Sequence, residues 1–96
     1  MSKHKNIKSL LRKLTTLTVY HAEKIISTEH QLEKEIVPLL KNSSTKSEIY
    51  KEILAKAKEL NILATASVMQ SMHTKLATSI QIESIQRDLV ALSEEL

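Results

Sequence analysis

Apolar positions recur at helical spacing along almost the whole chain. Ile7, Leu10, Leu11, Leu14 and Leu17 follow the i, i+3, i+4, i+7 rule of an amphipathic helix, and Ile25, Leu32 and Ile36 continue the stripe. This predicts one long first helix over about residues 4–37, with Glu23, Glu29 and Glu33 on its solvated side. Thr18, His21 and Thr28 interrupt the stripe where a coiled-coil seam would carry aliphatic residues, so a bundle helix fits better than a strict coiled coil. Pro38 ends or kinks the helix, because its nitrogen cannot donate to the Lys34 carbonyl and its ring crowds that turn. Leu39 and Leu40 then predict a short distorted turn that still packs inward.

Asn42-Ser43-Ser44-Thr45 reads as a loop, over about residues 41–45. Thr45 with Glu48 fits a capping box, in which hydroxyl and carboxylate each accept from a backbone amide at the start of the next helix. A second helix is predicted over about residues 46–95, since no strong breaker follows. Ile49, Ile53, Ala57, Leu60, Ala64, Val68, Met72 and Leu76 make one drifting stripe, and Ile82, Ile85, Leu89, Leu92 and Leu96 restart a 3-4-3-4 seam. The phase shifts at Thr78-Ser79. Either the helix runs on through a stutter, or it breaks there and a third helix folds back.

Two antiparallel helices turning near residues 43–44 would set residue 84 opposite residue 3 and bring Met72 and Leu76 against the Leu10–Leu14 region. The seam beyond residue 84 would then have no partner in the same hairpin. Residues 61–82 sharpen the question, because Lys75 is their only fully charged residue and apolar positions surround most of the helix. A surface helix carries a charged back, so this one is expected to be covered on more than one side. Its Ser, Thr, Asn and Gln residues exclude a membrane span of about 20 predominantly apolar residues. The expected fold class is therefore all-α: an antiparallel hairpin of two long helices, or three helices with a break at 78–79, associating into a larger helical bundle. The partner face would be Val68, Met69, Met72, Leu76, Ile80, Ile82, Ile85, Leu89 and Leu92.

Composition narrows this without redirecting it. The 96 residues read as one domain, near the lower size for a self-sufficient core. They include no Gly, Cys, Trp or Phe and two Tyr, so the core must be aliphatic and the best hairpin turns and commonest helix C-caps are missing. Without cysteine there is no thiolate chemistry, which fits the cytoplasm or another reducing compartment, and no secretory h-region is seen. The net charge of +3 is unevenly spread: residues 1–22 carry Lys3, Lys5, Lys8, Arg12 and Lys13 and no acid. That basic patch is enough for tracking phosphates.

Candidate chemistry is sparse. His21 and His30 are nine residues apart, about 900° around a helix, and point to opposite sides. No Glu-x-x-His pair of the di-iron kind occurs, and His73 reads as an interface or core histidine. No serine or threonine has a base at predictable spacing, and no glycine-rich loop exists to cradle phosphate. Residues 57–83 resemble the last helix of the all-α chorismate mutase family: Leu63 is followed sixteen positions later by Ser79-Ile80, then Glu83, and Arg12 resembles that family's first-helix arginine. The resemblance implies an enzyme that clamps a dicarboxylate. This chain departs from the pattern with Glu29 where the next arginine is expected, and it lacks the Arg-Glu pair that opens the second helix.

The expected function is accordingly non-enzymatic and without cofactor or metal: an adaptor, chaperone-like or assembly subunit that packs partner helices, as a homodimer or hetero-oligomer. Small secretion chaperones built as helical hairpins are similar in architecture. The alternative is a nucleic-acid-associated regulator using the basic N-terminal helix.

Overall fold

A computed structural model describes residues 3–41 and 45–96. They form four α-helices, α1 (Lys3–Thr16), α2 (Ala22–Ile36), α3 (Thr45–Ser67) and α4 (Met72–Ser93), with 3-10 turns at Val19–His21 and Val37–Lys41. The two long helices expected from periodicity are each broken once, and serine and threonine hydroxyls hydrogen-bond to the backbone at both breaks.

The first break follows Thr16. The hydroxyls of Thr15 and Thr16 donate back to the carbonyls of Arg12 and Lys13 at 3.2 and 3.0 Å, a local bond that competes with the helical ladder. Thr18 is extended (φ −106°, ψ 172°), and its Oγ1 accepts from the Tyr20 amide at 3.3 Å. A first helix continuous over 4–37 is therefore corrected to α1, a reversal and α2. Pro38 acts as its chemistry requires: α2 ends at Ile36, and Leu39 and Leu40 in the following turn pack half-buried on the core.

The second break lies at residues 68–71, not at Thr78-Ser79. The last turn of α3 tightens, with the amides of Val68, Met69 and Gln70 donating three residues back to Thr65, Ala66 and Ser67. Ser71 is extended (φ −69°, ψ 164°), and its hydroxyl accepts from the Thr74 amide at 3.4 Å to start α4. Thr78, which marked the phase shift, is buried inside α4 and donates to Gln70 Oε1 at 2.7 Å, latching the bend. No described residue has positive φ, so a chain without glycine turns on extended threonine and serine instead. Ser71→Ala is expected to lower stability by about 1 kcal/mol in denaturant melts through loss of the cap. An unchanged midpoint would mean that the Gln70–Thr78 latch alone holds the bend.

Of the loop predicted over about residues 41–45, Lys41 closes the 3-10 turn and Thr45 opens α3, while residues 42–44 and the side chain of Thr45 lie outside the described residues, and the capping box with them. Glu48 meets Lys51 Nζ at 3.5 Å.

Each helix runs antiparallel to the next. Asn61 bonds to Glu29 and Lys58 faces Glu33 between α3 and α2. Lys56 pairs with Asp88 at 3.3 Å, and Lys46 Nζ donates to the Leu96 carbonyl at 2.8 Å, between α3 and the C-terminal end. Gln86 of α4 reaches Leu14 and Leu17 at the end of α1. Contacts close a ring in which α1 touches α2 and α4, and α3 touches the same two. Into its centre point Ile7, Leu11 and Leu14 of α1, Ile25, Leu32 and Ile36 of α2, Ile53, Ala57 and Leu60 of α3, and Ile82 and Leu89 of α4. Each large aliphatic side chain so buried contributes roughly 1.5–3 kcal/mol.

The C-terminal seam therefore finds its partners within the same chain. Ile82 and Leu89 are buried, and Ile85, Leu92 and Leu96 pack half-buried against the core. Assigning Ile82 and Leu89 to a partner face is corrected on this ground, since once α4 folds back along α3 both are core, while Ile85 and Leu92 stay half-buried at its edge. Glu29 is corrected as well. Expected on the solvated side, it is 2% exposed, because it stands four residues after Ile25 and three before Leu32, on the inner face of α2.

Candidate interaction surface

Helix length decides what remains exposed. α1 has 14 residues and α4 has 22, so α1 is shorter by roughly 12 Å at 1.5 Å per residue. Beside α4, α1 occupies the stretch from Glu94 up to Glu83: Lys8, Leu11 and Arg12 share a groove with Val90, Ser93 and Glu94, and Thr15 shares one with Glu83, Gln86, Arg87 and Val90. Met72 stands five helical turns before Val90, and Leu76 two turns before Glu83, on that same side of α4. They lie beyond the end of α1, and no other described residue covers them.

The consequence is an exposed apolar ridge. Met72, Leu76 and Ile80 are 70%, 60% and 67% exposed, and Met69 and Val68 at the bend are 90% and 54% exposed. Burial of Met72 and Leu76 against the Leu10–Leu14 region is thus corrected: both point past the last turn of α1. Of the nine residues assigned to a partner face from sequence, Val68, Met69, Met72, Leu76 and Ile80 stand together at this end. His73, expected at an interface or in the core, is exposed.

A pocket of about 370 Å³ opens beside the ridge, between the first reversal and the second bend. Val19, Tyr20 and Ala22 line one wall, Ser67, Val68 and Lys75 the other. Tyr20 is largely exposed at its mouth and was not singled out by periodicity, because it sits in a 3-10 turn outside any stripe. Lys75 is half-buried there, so the one charge of residues 61–82 is turned away from the ridge crest.

The basic face is real but interrupted. Lys5, Lys8, Arg12 and Lys13 are exposed on α1, because Ile7, Leu11 and Leu14 take its inner side, while the side chain of Lys3 lies outside the described residues. Glu94 lies in the same groove as Lys8 and Arg12, and Glu83 in the groove beside Thr15 and Arg87. Carboxylates therefore stand beside the cations on that side.

Two polar groups inside the bundle were missed from sequence. Asn61 Nδ2 donates to Glu29 Oε1 and its Oδ1 accepts from Thr65 at 3.1 Å, whereas Glu29 Oε2 is buried with no hydrogen-bond partner among the described residues. Gln86 Nε2 donates to the carbonyls of Leu14 at 3.1 Å and Leu17 at 2.6 Å, satisfying acceptors that the end of α1 leaves open. An amide between apolar positions, as in Ile85-Gln86 before Leu89, is the available signal for such a role.

Among the described residues no group of three His, Asp or Glu side chains could hold a metal ion, and no helix is long and apolar enough to cross a membrane. The helix on which the mutase resemblance rested is itself divided, with Leu63 on α3 and Ser79, Ile80 and Glu83 on α4. No protein-family model matches this chain, no curated protein matches it in sequence, and no solved structure matches it in fold.

Proposed function

We propose that this chain is a non-enzymatic helical docking module, acting as an adaptor, a chaperone-like protein or a subunit of an assembly. Its working surface is the ridge Met72, Leu76 and Ile80, with Met69 and Val68 at the bend. The carrying observation is that these five large apolar side chains, close together in sequence, are more than half exposed, Ile62 of α3 being the other aliphatic side chain exposed to that degree among the described residues. Contiguous apolar patches beyond a few hundred Å² are uncommon on monomers and mark interaction sites. Rows spaced i, i+4, i+8 on a helix are how one helix packs on another, and methionine at two of the positions adapts to the shape of what it meets.

The test is the double substitution Leu76→Ser with Ile80→Ser. Both side chains lie outside the core, so the melting midpoint is expected to move by less than about 0.5 kcal/mol equivalent. Association of the protein with itself or with any co-purifying protein is expected to be lost. A variant with the same associations as wild type would remove the ridge as the docking surface.

A second reading uses the exposed cations Lys5, Lys8, Arg12 and Lys13 of α1 to bind nucleic acid. Titration of a DNA duplex against rising salt separates the two, since phosphate contacts weaken steeply with salt and apolar docking does not. The carboxylates of Glu83 and Glu94 beside that face favour the ridge.

A further inference from the structure

Resting on that docking reading, we infer that the occupant of the ridge is a second copy of this chain, with the two α4 helices crossing about a two-fold axis near Leu76. The area is sufficient. Taking roughly 100 Å² of apolar surface for each of the five side chains, each copy offers on the order of 500 Å². Two copies then remove about 1,000 Å², and the polar residues around the ridge carry the total past what a specific interface must clear.

The shape is self-complementary. Met72, Leu76 and Ile80 form an i, i+4, i+8 row, and two such rows interdigitate with each other at a crossing angle of about −50°. A two-fold axis needs this property, since each copy must present the same patch to the other. The space is present on both copies as well, because α1 ends two turns short of Leu76 and leaves that side of α4 open.

Charge points the same way. Lys75 is the only charged side chain of residues 61–82, and it lines the pocket with Val68 instead of the crest. A second copy therefore brings no like charge onto the row Met72, Leu76 and Ile80, Lys75 standing to its side beside Val68. A charged partner surface would find nothing on the crest to pair with. Where the row continues toward α1, Glu83 and Arg87 take over, giving the polar rim that surrounds an apolar contact.

Sedimentation velocity of the full chain tests the inference. Wild type is expected to approach twice the single-chain mass by high micromolar concentration. Leu76→Glu with Ile80→Glu is expected to keep the single-chain mass there with unchanged far-ultraviolet circular dichroism, because the new carboxylates would face their own copies. The chain has no cysteine, so Leu76→Cys adds a single thiol. Placed next to the axis, it should cross-link two chains under mild oxidation, whereas Gln81→Cys, outside the row, should not. A wild-type protein of single-chain mass at high micromolar concentration overturns the inference, and so does a dimer that survives the double substitution. If wild type stays single but the Leu76→Ser, Ile80→Ser protein loses a foreign partner, the docking reading stands and the second copy is eliminated. If neither association exists, both fail.

Discussion

Gln86→Glu is expected to destabilise the fold by about 3–5 kcal/mol at neutral pH, although it changes one NH2 group for an oxygen. The reason is directional. Gln86 Nε2 donates to two carbonyls, Leu14 and Leu17, from a side chain that is nearly buried. A carboxylate in that place accepts only, so it would face two acceptors at the negative end of α1 with no donor. Gln86→Met, which keeps the volume, leaves the carbonyls unpaired without adding charge and should lose about 1–3 kcal/mol. The order of the two variants in urea midpoints is the check. Equal loss would show that packing, not donation, is what position 86 supplies. Acidification should narrow the gap, because protonation of the introduced carboxyl removes its charge and restores a donor.

Asn61→Ala should cost about 2–4 kcal/mol, more than truncating a half-buried asparagine ordinarily does. The excess comes from Glu29, whose other carboxyl oxygen has no partner among the described residues and which would then stand in the α2–α3 contact without a hydrogen bond. Replacing both together, Glu29→Met with Asn61→Leu, should recover most of the loss or exceed wild type, as apolar replacements of buried polar pairs often do. A double-mutant cycle in urea, with m unchanged, measures the coupling. If Asn61→Ala proves neutral, the pair does not hold α2 and α3 in register, and the Lys58–Glu33 contact at 4.0 Å would be left as the polar tie seen between them.

Periodicity and breaker chemistry established much of this protein from its sequence. Ile7, Leu11 and Leu14, Ile25, Leu32 and Ile36, and Ile53, Ala57 and Leu60 all read correctly as inner faces, since helical geometry fixes which residues share a side. Pro38 ended its helix because a missing N–H acts locally whatever the neighbours do. The uncharged character of residues 61–82 predicted cover on more than one side, and the single chain does not supply it at Val68, Met69, Met72, Leu76 and Ile80, which stay exposed.

Where the helices break was a tertiary decision. Thr15-Thr16, Thr18, Ser71 and Thr78-Ser79 are all weak breakers, and a serine or threonine cap is worth only about 1 kcal/mol at any of them. That is too little to choose between them locally. Folding back at 68–71 lets α4 lie along α3 and buries Ile82 and Leu89 together with Thr78 and Gln86, for several kcal/mol. A break at 78–79 would have brought back only the last seventeen residues and left Gln70 without Thr78. The same choice took Ile82 and Leu89 out of any partner's reach and, with α1 ending at Thr16, left Met72 and Leu76 in it. Glu29, four residues after Ile25 and three before Leu32, shared that inner face in the sequence already, although its charge argued for solvent. What only the tertiary structure supplied was Asn61 of α3, which donates to its carboxylate and lets the group stay inside.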